Sequence, residues 1–572
     1  GMLLIEEIFD GLHCAKNGNH MDYARFFNQL VPKDSKLENV TAGSTWARFD
    51  LETTMRRDIN APSIIMWSLG NEIQEGTTCG IDSFLSPQTN LIKWAAEIDS
   101  TRPLTRGDNA IKHNNSAINV MKSLVSTAKT SGTTGTVGAN YANGGQYDSI
   151  HRQIPTAMLY GAETASSVNS RGVYSRTTDN RQTADKQLTS YDNSKVNWGA
   201  TAAQAWLDVI KRDFVAGTAV WTGFDYLGEP TFWNGTSPGP QGQWPSPKNS
   251  YFGIIDTAGF PKDSYYLYQS QWNDQVTTLH VLPAWNRSVL LNQGNGNQKV
   301  VVYSDASVLE LFFTGTDGKK KSLGKKTFAK KTTPAGYKYQ LYEGSDKSSI
   351  ESENLYLSWN VQYADGILNA VAYDESGNVI SNTQGRDTVS TAGKAAKLDV
   401  SLNRTELSAN NQDLAYIEVT VTDANGTPVP DANLKVDFNA SGACEMVGTD
   451  AGKQDDHTSY LSNSRNTYNG KVLGIVKSKK IAGQCAITVS GTNLPKVTKT
   501  LTVTPAPHAS QDRAIDAYSY PRNYYVQVGT QPRFPDKIDA VFTDGSQDAV
   551  DVTWNQVPKE QYSKAGFFTV LG

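Results

Sequence analysis

The chain has 572 residues, too many for one hydrophobic core, and the usual domain size implies roughly three to five domains. A formal net charge of -4 provides no basic field, so nucleic acid is not an expected partner, and no apolar run approaches the roughly 20 residues that a membrane-spanning helix needs. Four cysteines in this length do not make a disulfide scaffold, and none stands in a C-x-x-C pair, so metal binding by cysteine is not expected.

In chain order, the first strand-like run is "MLLIE" (2–6), followed by the helical pattern "TWARFDLETTMRRD" (45–58), the run "SIIMWSL" (63–69) and the helix "PQTNLIKWAAEID" (87–99). Strand-like runs then come at "PLTRG" (103–107), "TVGANY" (136–141), "AMLYGAE" (157–163) and "GTAVWTGF" (217–224), the last after the helix "AQAWLDVIKRDF" (203–214). Strands alternating with helices imply parallel pairing, and continuous apolar runs suit strands covered on both faces. No glycine-rich dinucleotide or phosphate loop follows any of them, since Gly43, Gly70, Gly76 and Gly80 have the wrong spacing. Polar and aromatic residues gather instead at the strand ends, among them Glu6, Glu7, Asn71, Glu72, Asp108, Asn109, Asn140, Tyr141, Glu163, Trp221 and Asp225. One site assembled from successive strand ends is the habit of a (β/α)8 barrel, of which six strands are counted here. Cys14 and Cys79 each follow a strand end and could be neighbours, but they are expected to be reduced and inert.

Composition shifts near residue 275. Nine of the twelve tryptophans lie before it (46, 67, 94, 198, 206, 221, 233, 244 and 272); beyond it, short alternating runs with Gly, Asn and Asp turn signals have the spacing of β-sandwiches. Small, polar or Pro-containing linkers, "STAGKAAK" (390–397) and "VTPAPHAS" (503–510), mark two further boundaries. The expected organisation is a partial barrel (1–275), a β-sandwich (276–392), an Ig-like domain (393–505) and an incomplete Ig-like domain (506–572). Cys444 and Cys485 either bridge within the third module or are two buried small apolar residues.

Glu72 and Glu163 end strands three apart, so a barrel makes them face each other across its mouth. A carboxyl pair there is the minimum apparatus for splitting a glycosidic bond, one group protonating the leaving oxygen and the other attacking the anomeric carbon or activating water. Nearby aromatic rings suit the apolar C–H faces of sugars. A lone strand-end Glu is more often a solvated loop residue, and the pair with its adjacent Asn71 is what raises catalysis above that reading.

"RRDINAPSIIMWSLGNEI" (56–73), "MLYGAETASSVNSRGVYS" (158–175) and "AVWTGFDYLGEPTFW" (219–233) resemble, in order, the acid/base signature, the nucleophile region and the eighth strand of glycoside hydrolase family 2 β-galactosidases. "HVLPAWN", "ELFFTGTDGKKKSLG" and "LSWNVQYADGILNAVAYD" resemble the β-domain after the barrel in large bacterial members, residues 395–505 an invasin-type Ig-like module, and the final segment the start of another bacterial Ig-like domain. The resemblance implies that Glu72 is the general acid/base and Glu163 the nucleophile of a retaining reaction. It implies that Asn71 bonds the sugar 2-hydroxyl or caps a following helix, that Tyr141 donates to the nucleophile, and that Trp221 forms the stacking floor for galactose. Asp10 is expected to reach sugar hydroxyls, to cap, or to pair with an arginine.

Some family members bind a divalent cation with a Glu and a His after the third strand; Gly11 stands where that Glu would be, although His13 is present. No metal and no other cofactor is therefore expected. The implied partner is a β-galactoside oligosaccharide or glycan, and the implied location is extracellular or cell-surface, with signal and anchor outside this chain. Galactose is favoured over a uronic acid on the expectation that no N-x-K element, a donor pair for a sugar carboxylate, follows Glu163; β-glucuronidase, β-mannosidase and a non-catalytic glycan-binding adhesin are the alternatives. Because "MLLIE" resembles the family's third strand, the chain is expected to be cut at both ends, to lack strands one and two and the parent's N-terminal domains, and to be inactive alone.

Overall fold

The computed structural model describes all residues except 1, 21, 34, 36, 38, 39, 178–184, 229–246, 506–513, 520–524, 544 and 545. Trp233, Trp244, the end of the eighth-strand resemblance from residue 229, and the 506 boundary with most of its linker lie outside the described residues. Residues 1–391 and 392–572 form two compact units.

In the first unit, six parallel strands stand in chain order in one sheet: β1 (Leu4–Glu7), β2 (Ile64–Asn71), β3 (Leu104–Asp108), β4 (Thr136–Asn140), β5 (Met158–Ala165) and β6 (Val215–Trp221). Helices α1 (Trp46–Asp58), α2 (Leu85–Ile98), α3 (Asn115–Thr130), α4 (Gly144–Gln153) and α5 (Ala202–Ile210) connect them, and α6 (Asp263–Trp272) follows β6. This is the expected partial (β/α) barrel. The inner strands β3 and β4 are buried at every residue, as sheets covered on both faces must be. At one edge of the sheet, β1 leaves Leu4 and Ile5 each 40% exposed despite its apolar sequence.

Local chemistry starts the helices where the pattern places them. Thr45 accepts from Arg48 N at the head of α1, Asn114 accepts from two amides of α3, and Asn143 with Gln146 forms a capping box on α4. The Arg48–Glu52 pair spans one turn of α1, whose Leu51 and Met55 are fully buried, each stabilising by roughly 1.5–3 kcal/mol. Between α1 and α2, fully buried Trp67 donates to Asp99 at 3.0 Å, and Arg102 pairs with the same carboxylate at 2.7 Å while bonding the Ile59 and Ile64 carbonyls. Burial pushes the Asp99 carboxyl up, but the donors Thr101, Trp67 and Arg102 outweigh it and hold the group below the usual range. The R-D-x-N-x-P-S-I-x-x-W segment thus frames the strand that carries Asn71 and Glu72.

After residue 276 a four-stranded and a five-stranded sheet form a sandwich, with a core including Leu279, Val300, Leu309 and Trp359. Tyr174, Ala203 and Leu267 from the barrel share one cluster with Val301, Tyr303 and Leu355, so that sandwich is built onto the α5 and α6 side. In the second unit, strands between Lys397 and Thr504 make another two-sheet sandwich, and a three-stranded sheet follows from Ile515.

Both cysteine pairs are disulfides: Cys444–Cys485, which joins the two sheets of that second sandwich, and Cys14–Cys79. The second corrects the expectation of reduced, inert thiols. Parallel pairing of β1 with β2 makes the loops after both strands emerge side by side, and the two Cα atoms stand 6.3 Å apart.

Candidate active site

Six strand ends converge on one cavity of about 620 Å³, lined by Asp10, Asn71, Glu72, Tyr141, Glu163 and Trp221 among others. All six residues expected from the sequence are brought together there. β2 ends when Asn71 N donates to Phe9 O at 3.1 Å and Glu72 N to Gly107 O at 2.9 Å, locking the strand tip between its neighbours. Glu72 and Tyr141, the residues following β2 and β4, both turn the chain through positive φ, 46° and 54°. For non-glycine residues that conformation is sparsely populated and persists where the surroundings enforce it.

The tip of β4 holds both carboxylates. Asn140 Nδ2 donates to Glu72 Oε1 at 2.9 Å and to Asn71 Oδ1 at 3.0 Å; the next residue, Tyr141, donates its hydroxyl to Glu163 Oε2 at 2.7 Å. Gly107, between them on β3, is required by space: a Cβ there would stand 2.9 Å from Asn71 Oδ1 and 3.0 Å from Asn140 Oδ1. No helix begins at Asn71, so its side chain serves this network rather than a cap.

The two carboxylates differ electrically. Burial pushes Glu72 up to about 8; the Asn140 amide opposes this, and the neighbouring Glu75 and Glu163 add to it. Burial also raises Glu163, but the Tyr141 hydroxyl, the Lys16 charge and the Asn71 amide pull it back. Lys16 reaches Asn71 O at 3.1 Å and pairs with Asp10 at 2.7 Å. Asp10, with a 72% exposed side chain, therefore pairs with a lysine, where an arginine was one expectation. Lys112 lies over the Tyr141 ring at 5.7 Å and approaches the Asn140 and Tyr141 carbonyls.

Behind Glu72, buried Asp108 ties the turn down by accepting from Gln74 Nε2 at 2.7 Å, pairing with Arg106 at 2.6 Å, and capping the Ala110 and Ile111 amides. Trp221 holds its ring by donating Nε1 to Tyr226 OH at 3.2 Å, and Phe252 stacks on Tyr226. Trp198 and Phe252 extend this aromatic wall of the cavity. Sequence reasoning missed Lys16, Lys112 and Phe252 as site residues and gave Trp198 no role; no local spacing marks them, because each reaches the site through the fold. His13 packs its ring on Phe84 at 4.8 Å, and among the described residues no group of three His, Cys, Asp or Glu side chains is arranged to hold a metal.

One expectation about the sequence was mistaken. Asn193-Ser194-Lys195 has the N-x-K spacing after Glu163. Lys195 Nζ donates to Gly199 O at 2.8 Å and Asn193 Nδ2 donates to Thr177 O, so both are engaged within their own loop, and the described cavity lining includes neither.

A parallel (β/α) sheet with a hydrogen-bonded carboxyl pair at its carboxyl ends defines a glycoside-hydrolase type of site. Residues 23–188 match the TIM barrel domain of glycosyl hydrolases family 2, and residues 398–500, likened above to an invasin-type module, match glycoside hydrolase family 2 C-terminal domain 5. Residues 295–381 match a domain of unknown function and residues 522–572 a bacterial Ig-like domain of group 4. Two of the matched domains, the barrel and the C-terminal module, are domains of family 2 glycoside hydrolases.

A relative from Bacteroides ovatus, the beta-galactosidase BoGH2A, is 29% identical over 533 residues, which cover 86% of this chain and 54% of that protein. The crystal structure of a beta-glycosidase from Bacteroides vulgatus superposes with a TM-score of 0.65 at 25% identity, over 88% of this chain and 57% of that one. A family 2 beta-glucuronidase structure shares the fold, with a TM-score of 0.54 at 17% identity over 81% of this chain and 41% of that one. The chain thus spans about half the length of the B. ovatus relative.

Proposed function

We propose that this chain carries the catalytic pair of a retaining β-galactosidase that removes terminal β-galactose from oligosaccharides or glycans. The observation that carries the reading is that consecutive residues at one strand tip, Asn140 and Tyr141, bind the two carboxylates, bringing them to one point with unequal proton affinities. Glu72, pushed to about 8, enters the reaction protonated and gives its proton to the glycosidic oxygen. Glu163, supported by Tyr141 and Lys16, attacks the anomeric carbon as the leaving group departs. Glu72, now ionised, takes a proton from water, which releases the sugar from Glu163 with its configuration retained. Asn71 is the donor for the sugar 2-hydroxyl, Trp221 the platform for the ring, and Asp10 a partner for outer hydroxyls.

Galactose is supported by the name of the B. ovatus relative and by the local engagement of Asn193 and Lys195. A β-glucuronidase is the second reading, favoured by the same triplet standing three residues before cavity-lining Trp198. Two disulfides support an extracellular or cell-surface location, because thiols stay reduced in the cytosol of most cells. The test is turnover of chromogenic β-galactoside, β-glucuronide and β-mannoside by this chain and by a longer polypeptide containing it. Preference for the galactoside, lost in Glu163→Gln, supports the proposal. Preference for the glucuronide transfers it to the second reading, and glycan binding without turnover in either polypeptide makes the protein an adhesin.

A further inference from the structure

The cavity has two unlike walls. On the β5 and β6 side it is aromatic, with Trp198, Trp221 and Phe252; on the Glu72 side it is polar, with Lys16, Asn17, Asn19, Asp22 and Glu75. The polar wall is made of two chain segments, the loop after β1 and the turn after β2, held together by three independent contacts. The Cys14–Cys79 disulfide joins their far ends, Asn17 N donates to Glu75 O at 3.1 Å, and Lys16 Nζ donates to Asn71 O at 3.1 Å. Gly76 allows the closure: it stands at φ 59°, and a Cβ on it would lie 2.0 Å from Asn17 Oδ1.

Resting on the glycosidase reading above, chemistry assigns a role to each wall. A general acid protonates the glycosidic oxygen, so the departing group lies on the acid's side of the scissile bond. Here that side is the strapped polar wall. An aryl or alkyl leaving group there would desolvate amide and charged groups without returning hydrogen bonds, whereas hydroxyls satisfy them.

We propose that the Cys14–Cys79 strapped loop pair is the leaving-group subsite, that it accepts a second sugar, and that Asn17 is a specificity-determining residue within it. A galactosyl oligosaccharide is therefore bound more tightly than an aryl or alkyl galactoside, which fills the galactose site alone. The disulfide serves to hold the Asn17 segment against the turn that carries Glu72.

The test uses the full chain with Glu163→Gln, which prevents turnover, and reads the fluorescence of the cavity tryptophans during titration. The ligands are methyl β-galactoside, phenyl β-galactoside and galactosyl disaccharides with β-1,3, β-1,4 and β-1,6 linkages. At least one disaccharide is expected to bind more tightly than both simple galactosides. Adding Asn17→Ala should weaken that disaccharide about three- to tenfold, the size of one or two lost hydrogen bonds, and leave methyl β-galactoside within twofold. A Cys14→Ser, Cys79→Ser pair, checked for cooperative melting, should do the same if Asn17→Ala does not fold. Equal weakening of all ligands, or tighter binding of phenyl β-galactoside than of every disaccharide, overturns the subsite. Absence of binding by every galactoside overturns the galactosidase reading, and the subsite with it.

Discussion

The ends of β2 and β5 deliver the same side chain into the same cavity and give it different surroundings. Both Glu72 and Glu163 are removed from water, which raises both. At β2 the remaining neighbours are two carboxylates, Glu75 and Glu163, set against a single opposing amide; at β5 a phenol, a lysine and an amide favour the anion against one carboxylate, Glu75. Burial by itself would have produced two weak acids. In the proposed mechanism this asymmetry of second neighbours is what would separate a proton donor from a nucleophile, and it can be attacked residue by residue.

The most severe test removes the anion. Glu163→Gln keeps the shape and is expected to lower turnover by about 10⁴-fold or more while leaving the melting curve cooperative, as nucleophile replacements do. Near-normal activity in that variant would sink the assignment of the two ends.

Glu72→Gln should separate substrates by leaving group. Turnover of unactivated galactosides falls by about 10²- to 10⁴-fold, the usual worth of general acid catalysis, whereas an activated aryl galactoside still forms the glycosyl-enzyme and is rescued by azide. Equal loss on both substrates without azide rescue would give Glu72 a structural role.

Tyr141→Phe deletes the Glu163 donor and brings the two ends closer in character. A hydrogen bond to a charged group contributes about 1.5–3 kcal/mol, so kcat should fall roughly 10- to 150-fold, and the acidic limb of the pH profile should move to higher pH as Glu163 becomes a weaker acid. An unmoved limb would show that Tyr141 only packs.

The pH dependence of stability distinguishes the ends without turnover. Glu72 is raised from 4.5 to about 8 in the fold, so between those values the folded chain keeps a proton that the unfolded chain releases. Stability from this group is complete below about 4.5 and is lost as pH rises towards 8. The chain carrying Glu72→Gln should therefore lose less melting temperature between pH 5 and pH 8 than the unsubstituted chain; identical slopes would contradict the raised proton affinity.

The smallest effect is expected from the aromatic wall. Trp221→Ala should weaken galactose-analogue binding by roughly 1 kcal/mol, as stacking contacts do, measured by calorimetry. Unchanged affinity with a lower melting temperature would return Trp221 to a packing role.

Much of the sheet was legible because its signals are local. The run 63–69 became Ile64–Asn71 and the run 136–141 became Thr136–Asn140, since continuous apolar residues between helical patterns can only be strands covered on both faces. The run expected over 217–224 forms β6 from Val215 to Trp221, so Gly217 lies inside the strand. Those strand ends by themselves put Glu72, Glu163, Asn71 and Tyr141 at one mouth.

What the sequence by itself determined is therefore the order of parallel strands and which carboxylates stand at their carboxyl ends, because both follow from neighbours within a few positions. Only the tertiary structure decided the partners: Lys16 lies 55 residues from Asn71, Asn140 lies 68 from Glu72, and Cys14 lies 65 from Cys79. Such pairs carry no periodic signature. Adjacent parallel strands bring their end loops together whatever the chain length between them, so an amide, a charge or a thiol finds its partner only once the sheet has formed. Asn193 and Lys195 are a further case: their spacing fits a uronate-binding pair, and only the fold shows their hydrogen bonds ending within their own loop.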